Sequence, residues 1–193
     1  MAVADQGGEE RGGAIGRNEG APKAAIDASD ESQIAKPLDF LLAEHSRQRQ
    51  FAKILSLIAD QVINRRAVAE AIRFVEVDLA QHIMDEEISL FPVLRSFCQP
   101  DDEIEAVIAV LADEHREDES SSETVLDVLR RVERGDSTTA DDRRALRDFA
   151  DHLRRHIALE NGILLPIART RMSPDALRIV AQSLEARRNH AHN

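Results

Sequence analysis

The sequence has no tyrosine, no tryptophan and only one cysteine among its 193 residues. Without a tyrosine the chain cannot house a tyrosyl radical. Cys98 alone can form neither an internal disulfide nor a cysteine-based zinc or iron–sulfur site. No apolar run approaches the roughly 20 residues that a membrane-spanning helix needs. The sequence therefore argues against disulfide-linked, cysteine-cluster and membrane-spanning architectures.

Basic residues are also scarce relative to acidic ones. The chain has 25 Lys and Arg against 36 Asp and Glu, a formal net charge of −11 at pH 7. Such an excess of acid argues against a nucleic-acid or anionic-membrane surface, so we expect a small molecule, a cation or another protein as partner. The N-terminus lacks the basic and then apolar pattern of a signal peptide, so we expect a cytoplasmic protein.

The composition changes after the first 36 residues. Residues 1–36 hold six of the eight glycines and show no apolar periodicity, which predicts a disordered, glycine-rich tail. From Pro37 onward the apolar spacing is helical, and it predicts helices over 37–64, 67–96, 102–133, 139–170 and 174–188. Short links between the first four predict an all-α, up-down-up-down antiparallel bundle over 37–188. The short fifth helix should pack across the bundle or mediate association, and residues 189–193 should fray.

Two stretches of the sequence occur twice. HIMDEEISLFPVL begins at His82 and HIALENGILLPIA begins at His156, each with a glutamate four residues after the histidine and a proline further on. LLAEH, which ends at His45, likewise resembles LADEH, which ends at His115. We therefore expect the first two helices to form a hairpin that the third and fourth helices repeat.

Ionisable residues interrupt the apolar stripes that should face the core. Residues three and four apart define one such face in each of the second and fourth predicted helices. The stripes are Ile72, Val75, Leu79, His82, Glu86, Leu90 and Val93, and Leu146, Phe149, Leu153, His156, Glu160, Ile163 and Ile167. The first and third helices add His45 and His115. At about 1.5 Å rise per residue, all six ionisable groups fall in one layer, about 12 to 20 Å above the start of the first helix.

Two carboxylates and four imidazoles in one core layer must be protonated, ion-paired or bound to a cation. A dinuclear metal centre satisfies all six, with two imidazoles for each metal and two glutamates able to bridge. The spacing does not distinguish iron from manganese or zinc. A purely ionic network of histidine and glutamate is the alternative.

The ordered set of a lone histidine, His-x-x-x-Glu, a lone histidine and a second His-x-x-x-Glu resembles the hemerythrin-like, or HHE cation-binding, domains over about residues 37–170. The resemblance implies two Fe ions bridged by two glutamates, with an oxo or hydroxo bridge. The ligands that it implies are His45, His82, Glu86, His115, His156 and Glu160.

The chain departs from the oxygen-carrying hemerythrins, which have H-x-x-x-H on the third helix and H-x-x-x-x-D on the fourth. Here Glu119 stands four residues after His115, so one imidazole is missing, which argues against simple reversible oxygen transport. The ligand pattern is closer to the iron-sensing and iron-centre-repair members. His152 could be an additional metal ligand, or it could form a hydrogen bond to a ligand residue from beyond the ligand layer. Glu119 could be a labile metal ligand, or it could keep the His115 ring in position. We expect Glu87 to be an outward-facing charge.

The resemblance implies a non-haem diiron protein that binds or reacts with O2, peroxide or NO in redox or oxygen sensing or in stress protection. One alternative is an iron-binding or iron-sensing module whose stability depends on metal occupancy. Another is a diiron enzyme that decomposes peroxide or reduces NO. No output domain accompanies the predicted bundle, so we expect a sensor to need a separate protein partner.

Overall fold

A computed structural model describes residues 24–191, and this part of the chain is helical with no strand, as predicted. The five helices are α1 (Pro37–Ala59), α2 (65–95), α3 (Ile104–Arg134), α4 (140–171) and α5 (Pro174–Ala191). Single 3-10 turns, Glu31–Gln33 and Pro100–Asp102, precede α1 and α3. Within residues 24–191 no helix is both long enough and apolar enough to cross a bilayer.

Helices α2 and α4 contain π-helical turns. They lie at Phe74–Leu79 and Asp85–Leu90 in α2 and at Glu160–Leu164 in α4. Pro92 and Pro166 lie two residues after the ends of the last two turns. Proline lacks an N–H and clashes with the preceding turn of a regular α-helix, and a widened turn relieves both problems. A π turn also takes up one extra residue, so it shifts the helical phase of everything beyond it by about 100°.

Because of the π turns, the residues that face the core in α2 and α4 differ from those predicted. Ile163, which the prediction placed in the core, is 42% exposed, whereas its neighbour Leu164 is fully buried. Val93 is only partly buried, and Leu94 takes its place in the core. The prediction was wrong at these positions because it assumed one constant helical phase, whereas each π turn moves the buried face by one residue.

Local capping interactions set the helix ends. Helix α1 ends at Ala59 rather than at residue 64, because Asn64 begins the next helix by accepting hydrogen bonds from the N–H groups of Arg66 and Ala67. Gly135, with φ of +99°, ends α3. Thr139 and Asp142 form a capping box at the start of α4.

Ion pairs show that α1 and α4, and likewise α2 and α3, run in opposite directions. In both pairs, residues towards the start of one helix contact residues towards the end of the other. The contacts are Asp39–Arg169 and Asp60–Arg147 between α1 and α4, and Glu76–Arg130 and Arg95–Glu105 between α2 and α3.

The apolar core consists of two clusters at different heights in the bundle. One contains Phe51, which stacks on Phe74 with ring centroids 4.9 Å apart, and the other contains Phe40 and Phe91. In each of α1 to α4, the buried apolar residues before a central histidine belong to one cluster and those after it belong to the other, except that Ile157, next to His156, stays with the residues before it. A polar layer therefore separates the two clusters.

Helix α5 lies against α1 and α2 through an apolar face and a buried ion pair. Asp85 of α2 is fully buried and accepts hydrogen bonds from Arg188 at 2.6 Å and Arg187 at 3.1 Å. Next to this pair, the hydroxyls of Ser89 and Ser183 lie 2.8 Å apart. Helix α5 continues to Ala191, beyond residue 188, and residues 192 and 193 lie outside the described chain.

Part of the segment predicted as a disordered tail packs on the bundle. Residues 1–23 lie outside the described range, but residues 24–36 contact the helices. Ile34 is buried in the core, and the N–H of Ile26 donates to Glu70 at 3.2 Å. The carbonyl of Asp27 accepts a 2.7 Å hydrogen bond from Arg47. These tertiary contacts, which composition does not reveal, hold the segment against the bundle.

The α4 capping box yields a pH-dependent prediction. Hydrogen bonds from Arg131 and from the N–H of Thr139 hold the pKa of Asp142 well below its usual range. A depressed folded-state pKa contributes stability above the unfolded-state pKa, near 4, which is lost as the pH falls toward the folded-state value. We expect Asp142→Asn to lower the free energy of unfolding by about 1 kcal/mol at pH 7 and by less at pH 2, measured by urea denaturation. The exposed neighbour provides the control, since Asp141→Asn should change little, and equal losses at both pH values for Asp142→Asn would contradict the assignment.

Candidate metal centre

Six ionisable side chains form the polar layer between the two apolar clusters. None of them is more than 3% exposed. They are His45 on α1, His82 and Glu86 on α2, His115 on α3, and His156 and Glu160 on α4. The structure thus brings together all six residues that the sequence suggested as ligands.

Each carboxylate of the layer lies among imidazoles from both halves of the sequence repeat. The oxygens of Glu160 lie 3.0 Å from His156 Nε2 and 3.2 Å from His45 Nε2. Glu86 lies between three rings, with distances from its oxygens to Nε2 of 3.5 Å for His45, 3.6 Å for His82 and 3.4 Å for His115. Neither carboxylate therefore belongs to one half alone.

The donor atoms fall into two overlapping groups of four. One atom from each of His45, His82, Glu86 and Glu160 lies within 4.8 Å of the others, and the same holds for Glu86, His115, His156 and Glu160. Each group has two imidazoles of its own, and both groups share the same two carboxylates. Imidazole and carboxylate together suit iron, zinc or manganese, and a shared carboxylate can bridge two ions.

The inward-facing atoms of this layer lack hydrogen-bond partners among residues 24–191. They are both carboxylate oxygens of Glu86 and Glu160 and Nε2 of His45, His82 and His115. Buried polar atoms in folded proteins almost always have a partner, because an unpaired one loses its hydration without compensation. Cations bound among these atoms would supply the missing partners, so the residues present fit a metal site.

The two carboxyl groups conflict electrostatically in the absence of a cation. Burial disfavours charge on both. For Glu86, the surrounding imidazoles, led by His82, outweigh burial and hold its pKa well below the ordinary range. Burial and the neighbouring Glu86 charge raise the pKa of Glu160 well above its ordinary range. Positive metal charge in this layer would allow both groups to ionise.

Burial also favours the neutral, ligating form of one imidazole. Burial lowers the pKa of His82 to about 3, so this imidazole is uncharged at neutral pH and one of its nitrogens has a free lone pair. For His45, burial works in the same direction, but attraction to Glu160 and Glu86 outweighs it and raises the pKa. Metal binding to His45 would therefore compete with protonation of this ring.

Three of the four imidazoles are held from outside the layer through Nδ1. The Nδ1–H donates to an oxygen acceptor, which leaves the Nε2 lone pair pointing inward. The pairs are His45 with Asn161 at 2.8 Å, His115 with Glu87 at 2.9 Å and His156 with Glu114 at 2.8 Å. This arrangement is typical of histidines that bind metals.

A model of the hemerythrin HHE cation-binding domain matches residues 36–168, a range that contains the whole polar layer. The chain belongs to the hemerythrin HHE cation-binding domain family. The resemblance drawn from the repeated motifs is thereby confirmed. No curated protein and no solved structure gives a significant match to the chain.

In this hemerythrin domain the outer acceptors are the residues that the sequence did not reveal. Glu87 was predicted to be an outward-facing charge. Its side chain is 40% exposed, but one of its oxygens also accepts the hydrogen bond from His115. Glu114 and Asn161 were not singled out. The sequence did contain a signal, because Glu87 and Asn161 each directly follow the glutamate of one copy of the repeated motif.

The two marginal candidates lie outside both donor groups. His152 Nε2 is 3.2 Å from Asp118 Oδ1, and its ring lies parallel to that of His156 with centroids 6.4 Å apart. This close contact with the Asp118 carboxylate raises the pKa of His152. Glu119 is exposed at the surface.

A cavity of about 300 Å³ reaches the layer between α2 and α3. His115 forms part of its wall, and Glu87, Asp118 and Glu119 contribute carboxylates. The rest of the lining includes the apolar side chains of Val75, Leu79, Ile83 and Met84. A small uncharged molecule could therefore approach the His115 side of the hemerythrin layer.

The binding of a cation should stabilise this domain. Ligand binding to the folded state alone adds about 2.7 kcal/mol at a free concentration of about 100 Kd, which corresponds to about 5 to 10 °C in Tm for a chain of this size. We expect anaerobic Fe2+ to raise the Tm of metal-free protein by at least this amount, and a chelator to reverse the change, as measured by circular dichroism. The double variant His82→Ala/His156→Ala should show no such rise. The same Tm with and without Fe2+ would contradict binding at this layer.

Proposed function

We propose that this chain is a non-haem diiron protein that binds or reacts with O2, peroxide or NO in redox or oxygen sensing or in stress protection. The observation that carries the proposal is that both four-residue donor groups share the same two buried carboxylates. That arrangement provides two adjacent cation positions rather than one. The proposed ligands are His45, His82, Glu86, His115, His156 and Glu160, with the glutamates and an oxo or hydroxo group as bridges.

The proposed scaffold is an up-down-up-down bundle over residues 37–188, with the short α5 laid across it. Ion pairs that join the start of one helix to the end of its neighbour support the alternating directions. Rigid helices on four sides suit a centre that must hold two cations at fixed positions. Residues 24–36 lie against this domain as an N-terminal extension.

The chain's own residues would orient the ions and control access to them. Bound iron would supply redox chemistry and open coordination positions for a small ligand. The outer acceptors fix the imidazole rings, and the two apolar clusters exclude water above and below the layer. The cavity beside His115 has mostly apolar walls, which favours a neutral diatomic molecule or peroxide over an anion.

Removal of a bridging carboxylate should affect both metal positions. Glu86→Ala or Glu160→Ala should lower bound iron from two ions per chain to well below one, because each carboxylate would serve both ions. His82→Ala touches only one donor group and should leave about one ion bound. Elemental analysis of folded protein measures the ratio, with Glu133→Ala on the exposed side of α3 as control. Two ions retained in either glutamate variant would rule out the bridging assignment.

The small-molecule partner can be identified from spectra of the iron-loaded protein. A binding or sensing role predicts a stable coloured adduct with O2 or NO, formed once per centre, in absorption spectra recorded after anaerobic mixing. Sustained consumption of peroxide or NO over many cycles would instead identify a diiron enzyme. No spectral change with any of the three molecules would contradict a role in their binding.

The unpartnered charges of the layer favour a second candidate, an iron-sensing module whose fold depends on metal. Without a cation, the buried oxygens of Glu86 and Glu160 have no partner among the described residues, so occupancy and stability are coupled. A sensor of this kind would lose helix content at physiological temperature when iron is removed, which circular dichroism would detect. It would also require a separate protein partner that reads the change.

A further inference from the structure

The two donor groups have different surroundings. The sequence repeat aligns His45 with His115 and His82 with His156, and in the same alignment Glu44 corresponds to Glu114. If the halves were equivalent, Glu44 would accept a hydrogen bond from His82 as Glu114 does from His156. A comparison of these positions therefore tests the symmetry of the site.

Glu114 and Glu44 have different partners. Glu114 accepts the Nδ1–H of His156 at 2.8 Å. Glu44 is buried, and both of its oxygens are engaged elsewhere: the Ser29 hydroxyl donates to one at 2.6 Å and the Arg47 guanidinium to the other at 2.5 Å. Glu44 is thus held away from the metal layer.

Nδ1 of His82 has no hydrogen-bond partner among residues 24–191, although the ring is only 3% exposed. It is the one imidazole of the four whose outer nitrogen lacks an acceptor within the described chain. The ring is therefore neither oriented nor polarised from outside by a protein group in this range.

A charge reversal in the sequence contributes to the different partners of Glu44 and Glu114. Arg47 stands three residues after Glu44, one helical turn away, and attracts it. The corresponding residue after Glu114 is Glu117, which repels it and leaves it available to His156. Arg47 cannot easily move away, because it also pairs with Asp78 at 3.2 Å and is itself only 4% exposed.

The lone histidines repeat the same asymmetry. His115 donates to a carboxylate, Glu87, whereas His45 donates to the neutral amide of Asn161. The two imidazoles of one group therefore both have anionic acceptors, and the two imidazoles of the other group have none. Anionic acceptors make an imidazole more basic and a better ligand, and loss of such an acceptor typically reduces metal affinity 10- to 100-fold.

We propose that the two metal positions differ in affinity, and that the His115–His156 position fills first while the His45–His82 position holds its ion more weakly. Arg47 and Ser29 create the difference by withholding Glu44 from His82, and Asn161 adds to it. The inference rests on the proposed binding of two ions. If iron is limiting, the proposal predicts that only the His115–His156 position is occupied.

Anaerobic titration of the metal-free protein with Fe2+, in competition with a chromophoric chelator, measures both affinities. We expect two steps in the unaltered chain that differ by at least about tenfold. Glu114→Ala should weaken the tighter step about 10- to 100-fold, whereas the matched Glu44→Ala should change neither step by more than about threefold. Circular dichroism confirms that each variant is folded.

A gain-of-function variant tests the inference in the opposite direction. Asn161→Asp keeps the size of the side chain but gives His45 an anionic acceptor, so it should tighten the weaker step and leave the other unchanged. Equal affinities in the unaltered chain, or equal losses in Glu114→Ala and Glu44→Ala, would overturn the inference while two bound ions would still support the proposed function. Fewer than two bound ions would overturn both.

Discussion

Burial of Glu86 and Glu160 in an apolar core is the constraint on which the rest of the structure depends. An ionised carboxylate in such surroundings carries an effective penalty of several kcal/mol unless opposite charge and hydrogen bonds compensate it. Four imidazoles partly compensate the two carboxylates, but the oxygens still lack hydrogen-bond partners within the described chain. Four helices must bring these groups to one level, and the apolar core is divided into two clusters as a result. Stability and metal chemistry therefore depend on the same atoms.

The internal repeat provides a nearly symmetric backbone, and the charges around it remove the symmetry. Each half contributes a lone histidine and a His-x-x-x-Glu motif, so the inner ligands are the same in kind. The outer surroundings differ because Arg47 of the first half corresponds to Glu117 of the second, and because Glu87 of the first half corresponds to Asn161 of the second. Hydrogen bonds outside the ligand layer can thus distinguish two positions that share both carboxylates. The ligand motif alone does not reveal this difference.

Apolar periodicity and the repeated motifs were sufficient to predict the all-helical fold and to place six ionisable residues in one layer, because both depend on local spacing. Periodicity could not predict that Leu164 rather than Ile163 is buried, because a π turn interrupts the constant helical phase that periodicity assumes. Asn64 was assigned to the wrong helix because its role depends on hydrogen bonds rather than on hydropathy. The contacts of residues 24–36 depend on distant partners such as Arg47, which composition cannot indicate.

The buried pair between Asp85 and Arg188 bears on where an independently folding unit ends. Asp85 directly precedes Glu86 of the polar layer, and its charge is compensated by arginines of α5. The hemerythrin match stops at residue 168, before that helix begins. A fragment cut at that limit would retain the whole polar layer but would leave the buried Asp85 without its arginine partners. We therefore expect the minimal autonomous unit to be longer than the homologous region, with a C-terminal boundary set by charge balance rather than by the polar layer.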